Sequence, residues 1–104
     1  LDRVQKLDGE LVNTKKGVAL QLKWEAPKYS DERQKPRYYN VYRFEKGEKV
    51  TIGSLSHLYI RVDGTQLYDY NITTSNKYTY VVTAVDYYNN EGKDAKKTFK
   101  LNIK

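Results

Sequence analysis

A chain of 104 residues with 19 basic and 13 acidic side chains carries a net charge of +6 and contains no cysteine. That length fits one domain, residues 1–104, and excludes a second core. The missing cysteines exclude disulfides and thiolate metal sites; without an apolar run of about 18 residues or a signal-peptide pattern, a soluble chain with no membrane insertion is expected.

Where the lysines fall decides what the charge means. They stand singly or in pairs, Lys15 and Lys16, Lys46 and Lys49, Lys96 and Lys97. A nucleic-acid patch needs a run of roughly five to eight basic residues, so no nucleic-acid partner is expected. Lysines on strand exteriors instead discourage edge pairing, and the isolated chain is expected to be a monomer. The chain does not begin with methionine, which suggests an excised piece: a mature segment, or one module of a longer protein. With 11 tyrosines against two phenylalanines and one tryptophan, tyrosine is the main large core-filling residue, and the composition favours strands.

In chain order, "GELVN" offers a short strand ending in the turn "NTKKG". "GVALQLKW", Gly17 to Trp24, then alternates with a period of two: Val18, Leu20, Leu22 and Trp24 share one face, Ala19, Gln21 and Lys23 the other. That is the pattern of a half-buried strand. Glu25 to Arg37 is polar, holds both prolines and reads as the longest loop. "YYNVYRF" reads as a central strand, with Tyr39 and Val41 on one face, Tyr38, Tyr42 and Phe44 on the other, and both faces partly covered.

After the turn "EKGEK", a short strand "VTIGSL" is broken by Gly53, "HLYIRV" follows, and the turn "VDG" leads to a strand at "TQLYDYN". "KYTYVVTAVD" places Tyr78, Tyr80, Val82 and Ala84 on one face and Thr79, Val81, Thr83 and Val85 on the other. Asp86 to Gly92 is a turn, and "AKKTFKLNIK" closes the chain with Phe99, Leu101 and Ile103 pointing in. About seven short strands without a helix make an all-β, immunoglobulin-like antiparallel β-sandwich.

Reactive groups are few. His57 is the only histidine; at strand spacing neither Ser54 nor Ser56 shares its face, so it reads as a surface or edge residue and not as a catalytic base. Two carboxylate pairs, Asp63 with Asp69 and Asp86 with Glu91, could serve glycoside hydrolysis if held roughly 5–10 Å apart in a cleft. Each acid sits in a turn signature, however, where it is expected to cap backbone amides. Asp86, Asn89, Asn90 and Glu91 offer oxygens for calcium, but their spacing matches no EF-hand loop and the turn accounts for them. Neither metal nor cofactor is expected, and no catalysis.

Tyr87, Tyr88 and Asn90, joined by Tyr29 from the long loop at the same end of the sandwich, have the composition of a sugar platform. The competing reading, which we favour, packs these tyrosines against a neighbouring domain.

"LQLKW" followed by "EAP", the third strand "YNVYR" and the sixth "YTYVVTAVD" together resemble a fibronectin type III domain over nearly the whole chain. The resemblance implies that Trp24 is the core anchor, joined by Leu22, Val41 and Val82 from the alternation above. It further implies that Tyr78 forms the tyrosine corner, its hydroxyl bonding back to nearby backbone. The form "YNVYRF … VTAVDYYNNEG" is similar to modules appended to secreted bacterial glycoside hydrolases. This implies a non-catalytic accessory or spacer module of an exported protein, located outside the cell, in the periplasm or on the cell surface. Its implied partner is an adjacent domain of the same polypeptide, such as a glycosidase-like barrel; the alternative is a carbohydrate-binding module that takes polysaccharide on its loop tyrosines. The sequence departs from the family pattern in a longer stretch from Leu55 to Val62 and in lacking an RGD tripeptide, so animal-type adhesion is not implied.

Overall fold

The computed structural model describes residues 1–50, 57–72 and 74–103. Strands β1 (Gln5–Thr14) and β2 (Gly17–Glu25) form a hairpin, and β2 pairs on its other side with β5 (Gln66–Asp69), giving a three-stranded sheet of order β1-β2-β5. Strands β3 (Pro36–Glu45), β4 (Leu58–Val62), β6 (Asn76–Asp86) and β7 (Ala95–Leu101) form a four-stranded sheet of order β4-β3-β6-β7. All pairings are antiparallel. Among the described residues the fold is an all-β sandwich of seven strands.

Alternation along β2 aims Leu20, Leu22 and Trp24 into the space between the sheets, where Tyr39, Val41, Tyr78, Tyr80, Val82 and Ala84 meet them; all are buried. Trp24 packs edge-on against Tyr39, with ring centroids 5.6 Å apart. Burying a large apolar side chain contributes about 1.5–3 kcal/mol, so this layer dominates the stability of the sandwich. Tyr78 donates its hydroxyl to the Thr74 carbonyl at 3.2 Å, tying the start of β6 to the chain before it. Strands β3 and β6 are covered on both faces, because Tyr42, Phe44 and Val81 form a second buried cluster with Leu58 on the outside of the four-stranded sheet.

The element bounds differ from the alternation pattern where pairing does not depend on it. β1 begins at Gln5, well before "GELVN", because a register shift between Gln5 and Asp8, with Lys6 at φ 53°, lets backbone pairing resume beyond the irregularity. β3 begins at Pro36, inside the expected loop; a proline is tolerated at the first residue of a strand. The rest of that loop holds one turn of 3-10 helix, Glu32–Gln34, capped by Asp31, whose Oδ1 accepts from the Arg33 amide at 2.9 Å. The strand expected at "TQLYDYN" is shortened to Gln66–Asp69. Most of the expected strand "VTIGSL" falls outside the described residues.

The chain ends lie at opposite poles. The Leu1 carbonyl accepts from the Lys93 amide beside the β6–β7 turn. Ile103 exchanges hydrogen bonds with the Ser75 hydroxyl at the other end.

Candidate functional site

The β6–β7 turn is built by two carboxylates with different tasks. Asp86 accepts from the amides of Tyr88 (2.8 Å) and Asn90 (2.9 Å) through Oδ1 and from the Asn90 side-chain amide through Oδ2. The amide of Asn90 above all, with the other donors, holds the Asp86 carboxyl below its ordinary range against the cost of burial. Asn89 takes φ 65°, a left-handed conformation that asparagine tolerates. At Gly92, whose amide donates to the Ala84 carbonyl, an added Cβ would sit 2.5 Å from the Leu1 Cβ, so a side chain there would collide with the N-terminal segment.

Glu91 departs from the expectation that it caps backbone. Its Oε2 accepts from the Tyr42 hydroxyl at 2.6 Å, from the Asn40 amide at 3.2 Å and from the Thr83 hydroxyl, so the side chain lies on the outer face of the four-stranded sheet. Partial burial opposes its ionisation, but these donors and the charge of Arg61 outweigh it and keep the carboxyl below its usual value. Burial and the same carboxylate push the Tyr42 hydroxyl up.

Asp69 caps a local backbone amide, as its turn signature implies, but its other partners lie across the sandwich. It is fully buried at the end of β5 and accepts from Arg43 at 2.8 and 3.0 Å, from the Tyr80 hydroxyl at 2.6 Å and from the Asn71 amide at 2.9 Å. Arg43 and Tyr80 belong to the opposite sheet, so this ion pair ties the two layers together. Asp63 stays exposed in the β4–β5 turn while Asp69 is buried, and Asp86 and Glu91 border different depressions, so neither proposed carboxylate pair shares a cleft. His57 is half-buried: its Nε2 lies 2.7 Å from Glu48 Oε2 and its ring stacks on Phe44. Ser54 and Ser56 lie outside the described residues. Among the described residues, no three His, Cys, Asp or Glu side chains come together in a way that could hold a metal ion, and no helix is long and apolar enough to cross a membrane.

What the rigid turn presents is aromatic. Tyr87 and Tyr88 are 59% and 65% exposed, and they face different ways. Tyr87 points along the outer sheet face, where the Arg37 guanidinium lies 6.0 Å from its ring and 5.8 Å from that of Tyr38; Arg61 stands 5.1 Å above Tyr38. Tyr88 and Asn90 border a depression of about 590 Å³ with Leu1, Asp31, Arg33 and Gln34. The long loop and the turn therefore meet at one pole. Tyr29 is partly exposed but does not line that depression. The alternation pattern gave no sign of the Arg37–Tyr87 and Arg61–Tyr38 contacts, because they arise only when β3 pairs with β4 and β6.

Two solved structures are similar over nearly the whole chain. One, described as FN3tt mut, has a TM-score of 0.69 at 16% identity, covering 95% of this chain and 93% of its own. The other, an Fn3-like protein from Clostridium thermocellum, has a TM-score of 0.64 at 25% identity, covering 96% and 95%. The chain is thus a small domain with the fibronectin type III fold. No family model and no curated protein matches it.

Proposed function

We propose that the chain is a non-catalytic accessory module of a larger exported protein, one acting on carbohydrate, and that it docks its Tyr87–Tyr88 pole against an adjacent domain of the same polypeptide. The observation that carries this reading is the pair of well-exposed tyrosines on a turn immobilised by Asp86 and Glu91. Large rings on a fixed backbone lose little conformational freedom on contact, which favours an interface. Leu1 lies at the same pole, so a domain joined ahead of it meets these rings and the neighbouring Arg37. Interfaces between domains of one chain are modest and fairly polar, which suits tyrosine and arginine together. A rigid sandwich with its ends at opposite poles then sets the distance between its neighbours.

The test compares two contexts. In the parent polypeptide, Tyr87→Ala with Tyr88→Ala should lower the thermal midpoint of this module and expose its boundary to protease, with the bond specificity of the parent unchanged. In the isolated chain the same pair should have little effect. Equal behaviour in both contexts would refute docking. The second reading, a carbohydrate-binding module using Tyr87, Tyr88, Asn90 and Tyr29, has support from the shared depression at Tyr88 and Asn90 alone.

A further inference from the structure

The outer face of the three-stranded sheet, away from the turn, carries a separate aromatic site. Alternation turns Asp8 and Glu10 on β1, Gln21 and Lys23 on β2, and Gln66 and Tyr68 on β5 away from the core. Register sets them in rows: Glu10, Gln21 and Tyr68 in one, Asp8, Lys23 and Gln66 in the next. Tyr70 follows Tyr68 on the same side, and the two rings stand 6.2 Å apart and nearly parallel, at 23°. They are 37% and 39% exposed, Tyr70 slightly the less. Gln21 Nε2 donates to the Tyr68 hydroxyl at 3.1 Å and lies 3.5 Å from Gln66 Oε1, so one ring is held in place by an amide. Gln21 also borders a shallow groove of about 230 Å³ with Asp8, Glu10 and Lys23.

We propose that this face binds a neutral saccharide. Tyr68 and Tyr70 stack on the C–H faces of the sugar, while Gln21, Gln66 and Glu10 exchange hydrogen bonds with its hydroxyls; parallel apolar rings flanked by amides and a carboxylate fit both sides of an amphipathic ligand. Charge points to a neutral ligand. Asp8 and Glu10 stand against Lys23 and Lys97, whose ammonium pairs with Asp8 at 2.9 Å, so the face is locally balanced while the whole chain carries +6. Size points away from a protein partner. Two rings a little over a third exposed leave on the order of 150 Å² of aromatic surface, against about 800 Å² per partner in a stable protein interface. Because β5 and Gln21 hold the Tyr68 ring beforehand, little ordering of that ring is required on binding.

The test is depletion of the 104-residue chain by insoluble cellulose, chitin and starch granules, with cellohexaose as a soluble probe. Retention on at least one polymer is expected. Tyr68→Ala with Tyr70→Ala should reduce it at least tenfold in a chain that still unfolds cooperatively, and Tyr87→Ala with Tyr88→Ala should leave it intact. Should the first pair fail to fold, Gln21→Ala, which spares both rings, should weaken retention several-fold, and the probe should shift the Gln21 and Gln66 side-chain amide resonances in the native chain. Retention by no polymer overturns the proposal, as does undiminished retention by Tyr68→Ala with Tyr70→Ala. Loss confined to the Tyr87 and Tyr88 variant overturns it by placing the site at the pole. A dimer abolished by the Tyr68 and Tyr70 changes, with no polymer retained, overturns it in favour of protein contact.

Discussion

Replacing Asp69 by asparagine keeps the shape of the side chain and removes its charge at the tie between the sheets. The carboxylate accepts from Arg43, the Tyr80 hydroxyl and the Asn71 amide. An asparagine turns one acceptor into a donor: a nitrogen in place of Oδ2 takes the acceptor from the Tyr80 hydroxyl, one in place of Oδ1 takes it from the Asn71 amide, and Arg43 keeps one of its two bonds. An unmet buried donor costs about 1–3 kcal/mol, and breaking a fully buried ion pair about 3–5 kcal/mol. Here Arg43 is 21% exposed and lies 4.5 Å over the Tyr59 ring, so water and the ring recover part of its stabilisation. We expect a loss of roughly 2–3 kcal/mol, a fall in midpoint of about 10–20 °C for a domain of this size. Thermal and urea unfolding, followed by circular dichroism and the fluorescence of Trp24, measure it.

The pH dependence has a definite sign. Burial opposes ionisation of Asp69, but Tyr80, Arg43, the Asn71 amide and Tyr59 prevail, and its carboxyl is held below 3.8. Its contribution is therefore fully present above the unfolded value and is lost as pH falls through the folded one. The gap between native chain and variant should be widest near neutrality and close as pH drops below about 4. A midpoint change under about 3 °C at pH 7, or a gap that widens on acidification, would refute the reasoning.

Three further outcomes follow from single contacts. Tyr78→Phe removes the bond to the Thr74 carbonyl and should cost about 1 kcal/mol in urea unfolding with the slope unchanged. Glu91→Ala releases the turn from Tyr42, Asn40 and Thr83; a loss of about 1–2 kcal/mol should accompany faster hydrogen exchange at the amides of Tyr88 and Asn90. Gly92→Ala puts a Cβ against Leu1, so it should displace the first residues and cost about 1–3 kcal/mol, and trimming Leu1 should restore most of the midpoint.

Local pattern was enough for the fold. A period of two from Val18 to Trp24 and from Tyr78 to Ala84 specifies strands with one apolar face, and a strand so patterned has to find an opposing layer. The strong turn residues between them set the strand count. Local pattern could not assign the acids. Asp69 and Glu91 sit among the same turn-forming neighbours as Asp86, yet of the three Asp86 alone turns both carboxylate oxygens to its own turn, while Asp69 caps one local amide and Glu91 bonds side chains of the sheet. Asp69 finds Arg43 26 positions away and Glu91 finds Tyr42 49 positions away, partners that exist only after the sheets have paired and stacked. The tyrosines divide in the same way. The alternation places Tyr68 and Tyr70 on one face of a strand without saying which face is outward; the assembled sheet turns them out, with their rings parallel beside Gln21, and only the closed turn sends Tyr87 and Tyr88 to different sides. Strand identity is a property of neighbours along the chain; the chemistry of a surface depends on residues that meet across it.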